Sequence, residues 1–162
     1  MHLSIVVPVY NEEESLPLLV DAVRSVVLQL NLAWELVLVD DGSRDSSPSI
    51  LEKLAVQDPD HLRVVFLRRN FGQTAAIAAG LDHSTGEFVV LLDADLQNDP
   101  QDIPAMLDKL NEGYDVVSGR RKNRQDSFAT RTLPSNLANG LISRVTGVHL
   151  HDYGCTLKAY RR

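Results

Sequence analysis

Uninterrupted apolar runs alternate along the chain with segments whose apolar residues recur at helical spacing. The runs lack polar alternation, which is typical of strands buried on both faces of a parallel sheet. Strands are predicted over residues 3–9, 35–39, 62–67, 88–92 and 115–118. The pattern therefore predicts an α/β fold, a three-layer α/β/α sandwich with a mostly parallel sheet, formed by residues 1–162 as a single domain.

The first predicted helix lies between the first two strands. Its apolar residues recur at helical spacing from Leu16 to Leu30, so one face of the helix is expected to pack on the sheet. Pro17 is tolerated only near a helix start, and the glutamates at 12–14 are expected in the first turn, where negative charge suits the helix dipole. Further helices are predicted over residues 48–56, 74–81, 101–111 and 133–145.

Two aspartates spaced i, i+2 end the strand at 88–92, and they are the first candidate site. Asp93 and Asp95 are followed by Gln97, and Pro100 prevents the strand from continuing. Carboxylate and amide oxygens suit a hard cation such as Mg²⁺ or Mn²⁺, which binds a few carboxylates together with substrate phosphates. The alternative is that the two aspartates only cap a turn, a common use of Asp after a strand.

Polar residues also follow the first two strands. Asp40 and Asp41 precede a glycine at the end of the second strand, and Asn11-Glu12 follows the first. The carboxyl ends of strands in an open α/β sheet form the edge at which ligands bind. A second interpretation is helix capping, since Asp45 or Ser46 is suitably placed to cap the helix at 48–56.

The formal net charge of −6 conceals an asymmetry. Residues 1–118 carry 20 acidic and 7 basic side chains, whereas residues 119–162 carry 2 acidic and 9 basic ones. An anionic partner is therefore expected at the last quarter of the chain. The basic run at 120–131 predicts either a phosphate-binding loop, since guanidinium groups bind phosphate oxygens in pairs, or a solvated charged surface. Nucleic acid is not an expected partner, because the bulk of the domain is acidic.

Composition narrows the class of protein further. No apolar stretch approaches the roughly 18 residues of a membrane span, so the chain itself is predicted to be soluble. The single cysteine, Cys155, excludes an internal disulfide and is compatible with a reducing compartment. The sequence stops at Tyr160-Arg-Arg. A domain truncated at its C-terminus, with a membrane-associated part missing, is therefore expected.

Four motifs stand in series along the chain: Ile5-Val-Val-Pro-Val-Tyr-Asn-Glu-Glu, Val39-Asp-Asp-Gly-Ser, Asn70-Phe-Gly and Leu92-Asp-Ala-Asp-Leu-Gln. Together they resemble the motifs of family 2 glycosyltransferases, which have the A-type, nucleotide-diphospho-sugar transferase fold. The branch that they resemble is that of the polyprenyl-phosphate glycosyltransferases, including dolichyl-phosphate mannosyltransferases. Asn123-Arg-Gln-Asp-Ser and the segment from Asp152 to the end resemble the undecaprenyl-phosphate formamido-arabinose transferase type. The similarity spans essentially the whole chain.

The resemblance implies a role for each matching residue. A pocket for the base and ribose of the nucleotide would be lined by Pro8, Tyr10, Glu12 and Asp41, with Asp40 behind them. Other substrate-binding residues would be Asn70 and Gly72. Asp93 and Asp95 would bind Mg²⁺ or Mn²⁺ with Gln97 as their companion. Phosphates of the donor and the lipid acceptor would be held by Arg121, Arg124 and Arg131. Direct catalytic roles would fall to Asp95, Arg121 and Asp152, the last as an acid/base or orienting group or only a turn residue.

The implied activity is metal-dependent, inverting transfer of a sugar from a nucleotide-diphosphate donor to a polyprenyl-phosphate acceptor at the cytoplasmic side of a membrane. A homo-oligomer is a further expectation. Three other functions stay open: an aspartyl phosphatase, although Gln97 stands where that class has Thr or Val, a transferase with a soluble acceptor, and a fragment that binds a nucleotide sugar without turnover. A soluble hydroxyl acceptor would need a general base, which a lipid phosphate does not.

Overall fold

A computed structural model describes residues 2–119 and 155–162 of the chain. The strands are β1 (His2–Val9), β2 (Ala33–Asp40), β3 (Leu62–Phe66), β4 (Phe88–Leu91), β5 (Val116–Ser118) and β6 (Lys158–Arg161). The helices are α1 (Leu16–Val27), α2 (Ser47–Gln57), α3 (Gln73–His83) and α4 (Ile103–Asn111), the last preceded by a 3₁₀ turn over Pro100–Asp102. Within these ranges, no helix is both long and apolar enough to cross a bilayer.

The described strands form one sheet in the order β3-β2-β1-β4-β6-β5. The first four strands of that order run parallel to one another, whereas β6 is antiparallel to both β4 and β5. This arrangement confirms the predicted α/β fold with a mostly parallel sheet. Its parallel strands end at one common edge, called here the carboxyl edge, and begin at the opposite, amino edge.

Alternate residues of each central strand face opposite sides of the sheet. Leu3, Ile5 and Val7 of β1 pack in a large core with the apolar faces of α1, α2 and α4. Val6 faces the other side, where α3 lies. A side chain at Gly80 of α3 would collide with Val6, so this glycine lets the helix lie close to the sheet. Helices on both faces confirm the three-layer sandwich.

The structure differs from the prediction in two places, at the start of α1 and at strand β6. Helix α1 begins at Leu16, so the glutamates at 12–14 precede it instead of forming its first turn. The reason is that the N–H groups of Glu12 and Glu13 donate to side chains at the start of α2, which holds this segment in a non-helical turn. Strand β6 was absent from the prediction, although it lies between β4 and β5. The helix predicted at 133–145 lies outside the described residues.

Candidate active site

A cavity of about 370 Å³ opens at the carboxyl edge of the sheet, at the ends of β1, β2 and β4. It brings together eight residues that the sequence assigned to a site: Pro8, Tyr10, Glu12, Asp41, Asn70, Gly72, Asp93 and Asp95. Four further residues complete the described lining: Val9, Gln73, Ala94 and Thr156. Residues more than 80 positions apart thus meet at one place, because the parallel strands that carry them end together.

Asp93 is the half-buried carboxylate on the wall of this cavity. Its Oδ1 accepts a hydrogen bond from Gln73 Nε2 at 2.9 Å, and its Oδ2 accepts one from Asn98 Nδ2 at 3.1 Å. Ala94, the next residue, is buried, and Asp95 after it also lines the cavity. Asp93 is therefore a fixed group with one side toward the cavity.

Asp95 is exposed and takes part in a local turn. Its Oδ1 accepts the N–H of Gln97 at 3.1 Å, and Leu96 between them has a φ of +60°. The turn interpretation of the Asp-x-Asp pair is thus correct for Asp95, and it does not remove the side chain from the cavity. Gln97 lines a second cavity of about 480 Å³ together with Asn98. Its role as a metal companion stays a prediction.

Asp41 lies at the end of β2 and joins two parts of the cavity wall. It is 3% exposed, and its two oxygens accept the N–H groups of Phe71 and Gly72, both at 2.8 Å. Gly42, with φ +70°, allows the turn after Asp41 to pack on the same loop, since a Cβ there would lie 2.6 Å from the Asn70 nitrogen. Asp41 therefore fixes the 70–72 loop and the start of α3 while it lines the cavity.

Asp40, which precedes Asp41, is absent from the described lining of the cavity. It is buried and accepts the N–H of Ser43 at 3.3 Å. The turn that follows is joined to the end of β1, because the Arg44 N–H donates to Asn11 Oδ1 at 2.8 Å. Ser46 occupies the N-cap position of α2 without a side-chain cap hydrogen bond, and the neighbouring Asp45 Oδ1 accepts the Ser47 N–H at 3.0 Å instead. Capping and lining of the cavity are thus done by different aspartates.

The lining is strongly acidic on its described side. Glu12, Asp41, Asp93 and Asp95 all face the cavity, and no Lys or Arg is among the described lining residues. Arg69 is nearby, with its guanidinium stacked 4.5 Å above the ring of Phe71. A diphosphate in such a cavity would be repelled by the carboxylates unless a cation lay between them. Arg121, Arg124, Arg131 and Asp152 lie outside the described residues.

The donor set suits Mg²⁺ or Mn²⁺ bound together with a phosphorylated ligand. Across residues 2–119 and 155–162, no three His, Cys, Asp or Glu side chains converge closely enough to hold a metal by themselves. Mg²⁺ in nucleotide sites usually has only one or two carboxylate ligands, and phosphates and waters complete its coordination. Asp93 and Asp95 on one cavity wall provide that number. The residues present therefore fit a cation that arrives with a diphosphate.

Three residues at or beside the site had no role in the sequence prediction. Gln73 directly follows the Asn70-Phe-Gly motif, and Asn98 directly follows Gln97, so extending each motif by one residue would have included them. Thr156 precedes β6, and no strand-end pattern in the sequence pointed to it. Contacts between distant segments, which a linear motif does not display, bring all three to the site.

Comparisons with solved structures agree with this fold. Glucosyl-3-phosphoglycerate synthase from Mycobacterium tuberculosis, in complex with Mn²⁺, uridine diphosphate and phosphoglyceric acid, superposes with a TM-score of 0.70 at 23% identity, over 99% of this chain and 55% of that one. The mannosyltransferase PcManGT from Pyrobaculum calidifontis, in complex with GDP-Man and Mn²⁺, gives 0.65 at 24% identity, over 99% and 44% of the two chains. At these identities the likeness concerns the fold.

Sequence relatives are much closer. An undecaprenyl-phosphate 4-deoxy-4-formamido-L-arabinose transferase from Pseudomonas aeruginosa (strain LESB58) is 52% identical over 159 residues, which are 98% of this chain and 47% of the relative. The transferase of the same description from Shewanella sediminis is 50% identical and is covered over 48% of its length. The chain thus spans about half the length of these relatives. Residues 4–162 match the sequence model described as Glycosyl transferase family 2, and the chain belongs to that family.

Proposed function

We propose that the chain is the catalytic domain of a metal-dependent, inverting glycosyltransferase that transfers a sugar from a nucleotide-diphosphate donor to a polyprenyl phosphate. The observation that carries the proposal is the joining of Asp93, Asp95 and Asp41 in one cavity at the carboxyl edge of the sheet. A binding site for a nucleotide diphosphate requires two parts, which are a wall that contacts the base and a pair of carboxylates that holds a cation. Membership of the family supports the same assignment.

The donor nucleotide would lie between the ends of β1 and β2. Tyr10 is 41% exposed at the cavity, so its ring is accessible to a base, while Glu12 and Asp41 offer acceptors to polar ribose and base groups. Gly72 precedes α3 as its N-cap residue and has no side chain, which leaves room for a ligand beside Asn70. The diphosphate would then extend toward Asp93 and Asp95.

Asp93 and Asp95 would hold the cation in different ways. When bound, Mg²⁺ or Mn²⁺ supplies neutralisation of the negative charge that develops on the leaving nucleoside diphosphate. The Asp93 carboxylate is fixed by its hydrogen bonds, whereas Asp95 is exposed and bound locally to one N–H. We expect Asp95 to adjust when the donor enters, with Asp93 as the fixed point of the site.

A polyprenyl phosphate suits this site as the acceptor. It is an anion at neutral pH, so positioning and exclusion of water matter more than a strong general base. Arg121, Arg124 and Arg131 are proposed to hold its phosphate, with Asp152 in an orienting role. The relatives from Pseudomonas aeruginosa and Shewanella sediminis are named for undecaprenyl phosphate and 4-deoxy-4-formamido-L-arabinose. We propose the same pair here, with action at the cytoplasmic side of the membrane.

The experiment is a transfer assay with undecaprenyl phosphate in detergent micelles and the formamido sugar linked to uridine diphosphate or, separately, to guanosine diphosphate. We expect transfer that requires Mn²⁺ or Mg²⁺, stops with excess EDTA and resumes when metal is restored. Replacing Asp95 by Asn should reduce the rate by more than about 100-fold, because losing a ligand costs more than losing one of its hydrogen-bond partners. Transfer only to a soluble sugar acceptor, with none to the lipid phosphate, would overturn the proposed acceptor.

A further inference from the structure

Two side-chain amides from different parts of the chain hold the Asp93 carboxylate. Gln73 Nε2 donates to Oδ1 at 2.9 Å and Asn98 Nδ2 donates to Oδ2 at 3.1 Å. One donor on each oxygen fixes the plane of the carboxylate as well as its position. A carboxylate oxygen has two acceptor sites, so an amide hydrogen bond and a metal bond are compatible on the same atom. The two amides therefore orient the group without blocking it.

Asn98 has the surroundings of a fixed side chain. It is 7% exposed, and the Cys155 Sγ lies 4.0 Å from its Oδ1, placed to donate a weak S–H hydrogen bond. Because the thiol is on the oxygen side of the amide, the nitrogen side is turned to Asp93. Cys155, in the C-terminal described segment, thus orients Asn98, and Asn98 in turn orients Asp93.

Gln73 reaches Asp93 from the opposite side. It is the first residue of α3 and lies on the exposed rim of the cavity. Its backbone position depends on Asp41, which binds the N–H of the preceding Gly72. Gln73 therefore connects the wall fixed by Asp41 with the carboxylate at the end of β4. An exposed amide retains more rotational freedom than a buried one, so it orients its partner less strictly.

We propose that Asn98 and Gln73 are positioning residues that set the affinity of Asp93 for a divalent cation, Asn98 being the stronger of the two. This inference rests on the proposed function, in which Asp93 is a metal ligand. Hydrogen-bond partners of metal-binding side chains typically contribute about 10- to 100-fold in metal affinity or activity. The contribution of the buried Asn98 amide to metal affinity should lie in that range, and the contribution of the exposed Gln73 amide should be smaller.

The test is a titration of Mn²⁺ in the presence of uridine diphosphate, with free Mn²⁺ measured by electron paramagnetic resonance. Asn98→Leu keeps the branched shape of the side chain and removes the donor, and Asn98→Ala is a second, smaller replacement. Gln73→Met preserves length and removes the other donor. The matched control is Gln57→Met, at the far end of α2 and exposed. We expect Mn²⁺ affinity to fall about 10- to 100-fold in both Asn98 variants, to fall less in Gln73→Met and to stay unchanged in the control.

Urea unfolding of each variant without metal separates positioning from a purely structural role. A structural role alone would lower the free energy of unfolding and leave the Mn²⁺ affinity of the folded protein at the wild-type value, which would overturn the inference. A larger loss in Gln73→Met than in both Asn98 variants would overturn the order given to the two residues. Failure of the wild type to bind Mn²⁺ with either uridine or guanosine diphosphate would instead contradict the metal site of the proposed function.

Discussion

The two edges of the sheet each carry a carboxylate within the fold, and the two are held very differently. Glu35 of β2 lies at the amino edge and is 6% exposed. Asp93 lies beyond β4 at the carboxyl edge and is half-buried on a cavity wall. Burying a charge is costly unless hydrogen bonds and opposite charges compensate it. Each edge meets that requirement with its own set of partners.

At the amino edge, protein groups surround the carboxylate. Glu35 Oε1 accepts the hydroxyls of Ser4 at 2.6 Å and Thr85 at 2.9 Å, as well as the Thr85 N–H, and Arg63 lies 3.7 Å from Oε2. The Ser4 hydroxyl accepts the Gly86 N–H at 2.7 Å, so the network extends into the loop before β4. These contacts join four segments of the chain, which are β1, β2, β3 and the loop before β4, and they indicate a structural role for Glu35.

At the carboxyl edge, hydrogen-bond partners hold a carboxylate that also lines a cavity. Asp93 has an amide on each oxygen and still lines a cavity of about 370 Å³. The comparison teaches that burial and hydrogen bonding alone do not distinguish a functional carboxylate from a structural one. What distinguishes Asp93 is a fixed orientation toward a space large enough for a ligand.

The largest expected effect on stability is at the amino edge. Glu35→Ala leaves the Ser4 and Thr85 donors without their acceptor, so we expect the free energy of unfolding to fall by about 3 kcal/mol. Binding of uridine diphosphate with Mn²⁺ by the folded protein should stay at the wild-type level. Urea unfolding and calorimetry measure the two quantities. Loss of ligand binding without loss of stability would remove the distinction between the edges.

Asp41 offers an intermediate case, since it is as buried as Glu35 and also lines the cavity. Asp41→Ala frees the N–H groups of Phe71 and Gly72, so we expect the free energy of unfolding to fall by about 2 kcal/mol. Nucleotide affinity should fall as well, because the 70–72 loop is no longer fixed. Urea unfolding measures the change in stability, and calorimetric titration measures the change in nucleotide affinity. Unchanged nucleotide affinity would show that Asp41 belongs with Glu35 as a purely structural group.

A smaller effect on the free energy of unfolding is expected when the pH is lowered. Burial alone would raise the pKa of Glu35, but hydrogen bonds from Ser4 and Thr85 and the charge of Arg63 outweigh it and hold the pKa below its ordinary value of 4.5. A lowered pKa in the folded state means that Glu35 stabilises the protein above pH 4.5, and that this contribution is lost as the pH falls through the lowered value.

Unfolding at a series of pH values, for wild type and Glu35→Gln, measures this contribution. The wild type should lose stability more steeply than the variant below about pH 4.5, the ordinary value for Glu. The amide cannot titrate, so the difference between the two curves isolates the carboxylate. Parallel curves would contradict the assignment of a lowered pKa to Glu35.

Much of this arrangement could be predicted from sequence, because buried parallel strands have a strong local pattern. The runs that became β1, β2 and β4 are nearly all apolar, and the polar residues that follow them mark the carboxyl edge. Strand β6 was not predicted because Lys158–Arg161 is only four residues long, with a charged residue at each end and no apolar run, and its pairing with β4 and β5 identifies it.

The hydrogen-bond partners of the site could not be predicted in the same way. Asn98 and Gln73 adjoin known motifs, yet their function depends on reaching Asp93 from two separate segments. The glutamates at 12–14 misled the prediction for a similar reason, since local charge favoured a helix and contacts with α2 determined a turn. Local pattern thus predicts strands and their ends, whereas long-range contacts decide which side chains act together.

The most direct test of the central claim is calorimetric titration of uridine and guanosine diphosphates into the wild-type protein and Asp95→Asn, with and without Mn²⁺. If the carboxyl edge holds a cation between carboxylates and diphosphate, one of the two nucleotides should bind the wild type far more tightly with Mn²⁺ than without it. Asp95→Asn should lose that dependence while its unfolding stays close to wild type. Equal Mn²⁺-dependent affinity in the two proteins would contradict the account.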